Sequence, residues 1–294
     1  MTTQGGAEIQ KYYYTANDFS GGCDSEIIQE AINAAAKDGV GKVVITHYNK
    51  ALDSTKWIID GTILLPSDIT VVLDNAYLIM AEGVMCRMFE NSNAQLSVGK
   101  TMEGEQKNIS IIGVGKAVLY GGVHNELTEL NSNKDGMPSI HNNITVYFHN
   151  VRDFKIENLT IRNQHWWGLE IIFSRYGHVR DIHFEIEYRD DYWKNQDGVD
   201  IRIGCNNILV ENITGETGDD VVALTALDPD IECVYGKDCN IHDVVIRNVR
   251  AFCNECAIVR LLNHHRRKLY NITIDGIVDT SVPRETARFR MQSV

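Results

Sequence analysis

Residues 195–201 read NQDGVDI, and residues 218–224 read GDDVVAL. Each stretch is a polar corner that contains a glycine and continues directly into a strand-like apolar run. Asp197 and Asp219 are 219 − 197 = 22 residues apart. One coil of a parallel β-solenoid takes roughly 20–30 residues, so this spacing predicts that one acidic corner lies directly above the other.

Stacked corners would bring the carboxyl groups of Asp197, Asp219 and Asp220 into one small patch. Neighbouring carboxylates repel each other, so we expect at least one of them to have a raised pKa and to hold a proton near neutral pH. A protonated acid beside ionised carboxylates is what cleavage of a glycosidic bond requires. Solvated turns are the alternative for either stretch alone, but both stretches in order and one coil apart favour the catalytic interpretation.

The second half of the chain repeats one strand-like pattern. Its five copies begin at Phe154, Val179, Ile208, Val244 and Leu269, with intervals of 179 − 154 = 25, 208 − 179 = 29, 244 − 208 = 36 and 269 − 244 = 25 residues. No amphipathic helices of 10–15 residues alternate with these strands, which argues against a doubly wound α/β sheet. A β-sandwich is the structural alternative, but it does not repeat at a coil-length period.

The first half predicts one helix and then short strands. Asp24 and Ser25 are predicted to cap a helix over residues 26–37, whose apolar residues have helical spacing, and Asp38-Gly39 ends it. We predict an all-β parallel solenoid with this N-terminal α-helix as its cap. One domain would span residues 1–294, with residues 1–23 as a tail or first edge and residues 24–38 as the capping helix. Residues 121–141 are predicted to be a long loop beside a cleft.

The composition limits the class of partner. The formal net charge is −12, which argues against binding of nucleic acid or of anionic membranes, although a local basic cluster could still bind an acidic sugar. No apolar run approaches the roughly 18 residues of a membrane span. An odd count of seven cysteines and the absence of a signal peptide at the N-terminus predict a cytoplasmic protein, or a secreted one if a leader was removed.

Two recurring residue types allow a structural and a functional interpretation. Cys253-x-x-Cys256, with Cys233 and Cys239 upstream, could be four zinc ligands, but the spacing is loose and buried thiols are favoured, so no metal is expected. Five Asn-x-Ser/Thr triplets could be glycosylation sites, but we predict that their asparagines stack at strand starts or corners and bond neighbouring corners. These triplets begin at Asn108, Asn143, Asn158, Asn212 and Asn271.

The order of these motifs resembles the right-handed parallel β-helix of the pectin-degrading glycoside hydrolases of family 28, the polygalacturonase family. Asn195-Gln196-Asp197 matches that family's Asn-x-Asp motif, and Gly218-Asp219-Asp220 matches its Gly-Asp-Asp motif. The resemblance extends from residue 26 to the end and is sharpest over residues 150–224. It implies a single-stranded right-handed β-helix in which Asp219 is the general acid, Asp197 and Asp220 activate a water, and Asn195 binds substrate. It also implies inversion of the anomeric centre without a metal or other cofactor.

Two family motifs differ in this chain. Where the family has Gly-His-Gly, this chain has Glu255-Cys256-Ala257, and Arg288-Phe289-Arg290 stands in for the family's Arg-x-Lys pair. Arg288 and Arg290 are therefore predicted to bind the substrate carboxylate, since arginine binds carboxylates through two parallel bonds. His264 and His265 lie in a basic corner that is either a solvated turn or a further subsite for an acidic sugar. Trp166-Trp167 and Tyr192-Trp193 could stack on sugar rings or pack in the core.

The predicted function is hydrolysis of a uronic-acid- or rhamnose-containing poly- or oligosaccharide. The alternatives are a catalytically weak or inactive glycan-binding β-helix protein and a polysaccharide lyase with the same fold. The expected partner is carbohydrate, not nucleic acid or membrane. Family members usually continue for further coils beyond the position of Val294, so an exposed C-terminal edge would also allow the chain to form a homo-oligomer.

Overall fold

A computed structural model describes residues 11–187, 195–228, 233–264 and 266–281. Within these ranges the chain forms one α-helix, α1 (Asp24–Lys37), and nineteen strands. The strands are β1 (Tyr14–Thr15), β2 (Lys42–Thr46), β3 (Trp57–Ile59), β4 (Ile63–Leu65), β5 (Ile69–Asp74), β6 (Tyr77–Met80), β7 (Phe89–Asn91), β8 (Gln106–Val114), β9 (Val118–Tyr120), β10 (Val146–His149), β11 (Val151–Arg162), β12 (Leu169–Ile172), β13 (Arg175–Glu185), β14 (Val199–Arg202), β15 (Asn206–Thr217), β16 (Val222–Ala226), β17 (Ile241–Cys253), β18 (Val259–Asn263) and β19 (Leu269–Asp279). Short 3-10 turns cover Ala16–Asp18, Ser97–Lys100 and Ile140–Asn143. None of the helices in the described ranges is long and apolar enough to cross a membrane.

The strands form two long parallel ladders. The first runs in the order β1-β2-β5-β8-β11-β13-β15-β17-β19, with β3, β6 and β9 paired beside it. The second runs in the order β4-β7-β10-β12-β14-β16-β18. Neighbours within a ladder belong to successive coils, so the chain winds as a parallel β-helix, as the sequence predicts.

Alternation along each strand builds the core. In the second sheet, Val199 and Ile201 of β14 and Val222 and Leu224 of β16 are fully buried and lie in register on neighbouring strands. Side chains one residue apart point to opposite faces, so these apolar residues face the interior of the coil. Burial of each such side chain contributes about 1.5–3 kcal/mol, and the stacked coils repeat this contribution along the whole body.

Asparagine and aspartate occupy stacked corners between the faces of the coil. The positions that align with one another in the first sheet have left-handed backbone, which these two residue types tolerate better than most others. One column contains Asp68, Asn108, Asp153, Tyr176, Asn207, Asp243 and Asn271, and a second contains Asn158, Asp181, Asn212 and Asn248.

The predicted asparagine ladder is confirmed at most of its positions. The side-chain amides of Asn108, Asn212 and Asn271 donate to the carboxylates of Asp68, Asp181 and Asp243 on the preceding coil, and Asn158 donates to the carbonyl of Gly113. The prediction is wrong for Asn143, which is buried at the end of a 3-10 turn and bonds with Asn125. Asn143 ends this turn before β10 begins and lies outside the two columns of stacked corners described above.

The segment predicted as a loop at 121–141 covers part of the second sheet. Leu127, Ile140 and Ile144 form a separate apolar cluster with Tyr147 of β10 and with Trp166. This cluster lies apart from the core inside the coils. The loop therefore closes the outer face of the sheet over β10 and β12.

Helix α1 begins two residues earlier than predicted. Asp24 and Ser25 are its first residues, and Cys23 is the residue before it, without a side-chain cap. The carboxylate of Asp24 instead accepts hydrogen bonds from Asn49 and from the backbone N–H of Ile58 (2.9 and 2.6 Å). The two polar residues thus fix the helix to the first coils, while its apolar face joins the core.

The predicted strand starts need a small correction. The register aligns Phe154 with Gly177, two residues before the predicted start at Val179, and it aligns Val244 with Ile272, three residues after Leu269. The coils measured this way contain 177 − 154 = 23, 208 − 177 = 31, 244 − 208 = 36 and 272 − 244 = 28 residues. The strands continue through their left-handed corners, so an apolar run does not mark where a strand begins.

We predict that Asp24→Ala lowers the free energy of unfolding by about 1–3 kcal/mol, because it leaves the buried N–H groups of Asn49 and Ile58 without an acceptor. Chemical denaturation followed by circular dichroism measures this change. Glu30→Ala, at an exposed position of the same helix, is the control and should change stability by less than about 0.5 kcal/mol. Equal effects of the two substitutions would contradict the role given to Asp24.

Candidate active site

The two acidic corners lie on consecutive coils. The N–H of Gly168 donates to the carbonyl of Asp197 (2.9 Å), and the N–H of Gly198 donates to the carbonyl of Asp220 (2.8 Å). Asp197 and Asp220 therefore occupy equivalent positions, 220 − 197 = 23 residues apart. The sequence correctly predicts the stacking but misplaces the register by one residue, because it aligns Asp197 with Asp219.

Two glycines allow the corners to approach this closely. A β-carbon on Gly198 would lie 2.4 Å from the carbonyl oxygen of Val221, and one on Gly168 would lie 2.8 Å from the carbonyl oxygen of Gly198. The ring of Phe184 from the first sheet fills the space beneath both glycines, 3.0 and 2.7 Å from the same positions. Any larger residue would force the coils apart at this point.

Asp220 is the fully buried member of the group. Its two carboxylate oxygens accept from the backbone N–H of Ala257 and from the guanidinium of Arg260, each at 3.0 Å. Both donors come from the next coil, which contains β18. Each oxygen of the Asp220 carboxyl group therefore has a donor.

Asp197 and Asp219 have less support for a charge. Asp197 is 3% exposed, and its Oδ1 lacks a hydrogen-bond partner among the residues that the structure describes, as does Oδ1 of the half-buried Asp219. Burial, followed by the charges of Asp200, Asp219 and Asp220, raises the pKa of Asp197 well above its usual range. Burial and then Asp220 raise the pKa of Asp219, which a hydrogen bond from Cys256 partly opposes. The predicted raised pKa is confirmed at both residues.

Charged residues on the strands extend the patch along the outer face of the second sheet. Register places Glu170, Asp200, Ala223 and Arg260 side by side on β12, β14, β16 and β18. Glu170 is fully buried, with Arg202 at 3.2 Å and His141 at 3.7 Å from its oxygens. Burial raises the pKa of Asp200; Arg202 opposes this shift and Glu170 adds to it.

The sequence analysis did not identify Glu170, Asp200, Arg202 and Arg260 as site residues. The available signal is a charged residue at an alternate position within a short apolar strand, as in Leu169-Glu170-Ile171 and Val259-Arg260-Leu261. Alternation places such a residue on the outer face, and the parallel register then aligns it with its neighbours.

Cys256 lies beside the acids, at the position where the family motif has histidine. One oxygen of Asp219, one of Asp220 and the Cys256 sulfur all lie within 4.8 Å of one another. Burial and the charge of Asp220 raise the pKa of the Cys256 thiol, which therefore stays protonated near neutral pH. The thiol of Cys253 donates to the carbonyl of Asp219 (3.1 Å) and accepts from the N–H of Cys256 (3.1 Å). In the described part of the chain, no metal-ligand group joins these cysteines with Cys233 and Cys239.

The aromatic pair Trp166-Trp167 has two different environments. Its rings stack with centroids 3.8 Å apart. Trp166 is buried in the apolar cluster under the loop, whereas Trp167 is half-buried and its ring has the guanidinium of Arg202 4.6 Å away. Core packing, one of the two interpretations given above, is confirmed for Trp166. Tyr192 and Trp193 lie outside the described residues.

The other predicted substrate-binding residues are not brought together with the three acids as a group. Asn195 is half-buried with left-handed backbone, two residues before Asp197. His264 follows the far end of β18 and pairs with Asp228 (2.9 Å). It lies seven residues beyond Ala257, or roughly 20 Å along an extended strand. His265, Arg288 and Arg290 lie outside the described residues.

Comparison with known proteins shows the family and the fold. A sequence model of glycosyl hydrolases family 28 matches residues 62–240, which is 240 − 62 + 1 = 179 of 294 residues. The chain belongs to glycosyl hydrolase family 28. No curated protein matches the sequence.

Solved structures with the same fold include other family 28 members. A polygalacturonase from Erwinia carotovora ssp. carotovora is 15% identical with a TM-score of 0.64, and the match covers 93% of this chain and 71% of that one. The family 28 exopolygalacturonase of Yersinia enterocolitica is 15% identical with a TM-score of 0.55, covering 90% and 55%. A tailspike protein of E. coli bacteriophage HK620 is 13% identical with a TM-score of 0.60, covering 90% and 50%. These similarities confirm the right-handed parallel β-helix, and this chain spans only about half the length of the latter two proteins.

We predict that Asp197→Asn stabilises the protein at about pH 8 and leaves its stability unchanged at about pH 3. A carboxyl group whose folded pKa is raised costs stability once it ionises, and each unit of the shift is worth about 1.4 kcal/mol above the folded pKa. Below the unfolded pKa both states are protonated, so the substitution gains nothing there. Urea denaturation at the two pH values measures the difference.

Asp135→Asn is a matched control, because Asp135 is exposed and its left-handed backbone suits asparagine equally well. It should give the same small change at both pH values. A loss of stability in Asp197→Asn at the higher pH would show that the Asp197 carboxylate is stabilised by its surroundings instead.

Proposed function

We propose that this protein hydrolyses glycosidic bonds in a pectin-like polysaccharide or oligosaccharide that contains uronic acid or rhamnose. The observation on which the proposal rests is the convergence of Asp197, Asp219 and Asp220 on consecutive coils, in environments that differ in charge stabilisation. Membership of a glycosyl hydrolase family and the fold shared with two polygalacturonases support it. The proposed reaction is a single inverting displacement that uses no metal.

Asp219 acts as the general acid in this proposal. It is the most accessible of the three carboxyl groups, so it can reach the oxygen of the leaving sugar. Burial and the charge of Asp220 raise its pKa, which keeps a proton on it at a pH where an ordinary aspartate has lost its own. Protonation of the leaving oxygen then lets the glycosidic bond break without release of an alkoxide.

Asp220 and Asp197 activate the water. The bonds from Arg260 and Ala257 suit a charged Asp220. Part of the raised pKa of Asp197 comes from the charge of Asp219, and that part disappears when Asp219 holds the proton. One oxygen of Asp219 and one oxygen of Asp220 lie within 4.8 Å of each other. This distance is shorter than the roughly 6.5–9.5 Å that usually separates the acid from the base in inverting enzymes. We therefore place the water between Asp197 and Asp220, on the side of the sugar away from the Asp219 proton.

Substrate binding is assigned to a smaller set of residues than the sequence suggested. Asn195 lies at the corner before Asp197 and stays in the proposal, as do Arg288 and Arg290, which would hold the carboxylate of a uronic acid. His264 is left out, because it lies at the opposite end of β18 and its ring already pairs with Asp228. We also propose that residues 1–294 act as one β-helix domain.

We predict that Asp219→Asn lowers kcat on pectic oligosaccharides by at least about 100-fold, because asparagine cannot supply the proton. NMR of the reaction measures the rate and shows whether the first-formed product has the inverted anomeric configuration. Asp228→Asn, which changes an aspartate of the distant basic corner, is the control and should retain activity.

Undiminished hydrolysis by Asp219→Asn would exclude Asp219 as the general acid. A first-formed product with retained anomeric configuration would indicate attack by a carboxylate in place of the single displacement. Binding without cleavage by the unaltered protein across a panel of pectic oligosaccharides would favour the non-catalytic alternative. The presence of Cys256 at the family's histidine position is the observation that keeps this alternative in view.

We predict that Cys256→His raises kcat by about tenfold. An imidazole beside Asp219 and Asp220 would add a charge-assisted hydrogen bond, which is worth about 1.5–3 kcal/mol and which the neutral thiol does not supply. Steady-state kinetics on the same oligosaccharides measure the effect. Cys256→Ala is the control, and an equal gain in both variants would mean that removal of the thiol, and not the imidazole, is responsible.

A further inference from the structure

We propose that Asp219, Asp220 and Cys256 form a binding site for a soft divalent cation such as Zn²⁺. This site goes beyond hydrolysis and does not depend on it, because binding of the ion requires the three ligand atoms and no turnover. It also differs from the four-cysteine set that the sequence suggested, since only Cys256 of that set belongs to it.

The three ligand atoms are already close to the spacing that zinc requires. The Cys256 sulfur and one oxygen from each aspartate lie within 4.8 Å of one another. Around a tetrahedral zinc with bonds of about 2.0–2.3 Å, ligand atoms lie roughly 3.3–3.8 Å apart. Side-chain rotations that move each atom by about 1 Å would close the difference. Three protein ligands leave the fourth position for a water, as in other partly open zinc sites.

The neighbouring coil contributes a buried oxygen that needs a partner. Asp197 is 3% exposed, its Oδ1 has no hydrogen-bond partner among the described residues, and the charges of Asp219 and Asp220 act on it. Oδ1 of Asp219 is also buried, again without a partner in the described ranges. Buried polar groups are normally satisfied, and a buried charge is usually paired or bound to a metal.

The negative charge of the group favours a divalent ion. Fully ionised, Asp197, Asp219, Asp220 and the Cys256 thiolate contribute four negative charges, and Arg260 contributes one positive charge through its pair with Asp220. A single divalent cation reduces the remainder of −3 to −1. Arg260 and the N–H of Ala257 each use one bond to Asp220, and a carboxylate oxygen can accept a further ligand through its second lone pair.

The thiol selects the kind of ion. A thiolate with carboxylates suits Zn²⁺ or Cd²⁺, whereas Mg²⁺ and Ca²⁺ take oxygen ligands alone. On binding, the S–H bond of Cys256 breaks, its sulfur forms the bond to the metal, and the proton passes to solvent. No oxidation or reduction is involved. Burial, which raises the pKa of this thiol, opposes the step, so the affinity should be lower than that of a structural zinc site.

The test uses the full chain and Cd²⁺ alone, without substrate. Titration of the purified protein should produce the ultraviolet absorption of a sulfur–cadmium bond and should saturate at one equivalent. Cys256→Ser should abolish this absorption, and Asp219→Asn should weaken binding by at least about tenfold, the loss that even indirect changes at metal sites cause. Cys233→Ser is the matched control and should bind as the unaltered protein does.

Site-resolved alkylation gives a second measurement that needs no variant. Zn²⁺ should slow the modification of Cys256, followed by mass spectrometry, and should leave that of the half-buried Cys86 unchanged. Absence of the absorption band in the unaltered protein would overturn the proposal. So would a band that survives in Cys256→Ser and disappears in Cys233→Ser, because the thiol ligand would then lie elsewhere. Neither result bears on hydrolysis, which is measured separately.

Discussion

The parallel register of the second sheet is the constraint on which the site depends. Pairing of Val199 with Val222 and of Val222 with Val259 sets three corners above one another at the spacing of neighbouring strands, about 4.8 Å. A shift by one residue would turn every inward side chain outward, so the buried apolar residues hold the register firmly. The same packing that stabilises the body therefore fixes the distances between acids that are far apart in the chain.

Burial gives chemically identical side chains different properties. Asp220 receives two hydrogen bonds from the next coil, whereas Asp197 and Asp219 each have an oxygen with no partner in the described part of the chain. The charged form of a carboxyl group needs donors or counter-charges, and burial raises the pKa of both Asp197 and Asp219. The lack of donors at these carboxyl oxygens links the two proposals. In the proposed hydrolysis a proton on Asp219 removes its charge, and at the proposed metal site a divalent cation neutralises that charge. Cys256 takes part in both proposals. A histidine at this position would place an imidazole beside Asp219 and Asp220, and the Cys256 sulfur would be a ligand of the divalent cation.

The fold could be predicted from the sequence because it depends on local patterns. Turn residues at the corners, alternating apolar strands and a coil-length period all indicate the solenoid, and helix α1 follows from its own spacing. The short strands β7, β10 and β12 were missed, because runs such as Phe89–Asn91 contain too few residues to show alternation. The site was predictable only at its two acidic corners, residues 195–198 and 218–220. Glu170, Asp200 and Arg260 depend on lateral register, which a linear sequence does not display.

The glycines at 168 and 198 make the backbone of one coil rest directly on that of the next. The gap between the carboxylate-bearing corners is consequently a main-chain dimension, which rotamer changes in the interior cannot widen or narrow. Loops around this patch can differ in length and sequence while the gap stays constant. Under the proposed function, the spacing of the three acids would stay fixed while changes in the loops alter which sugar is bound.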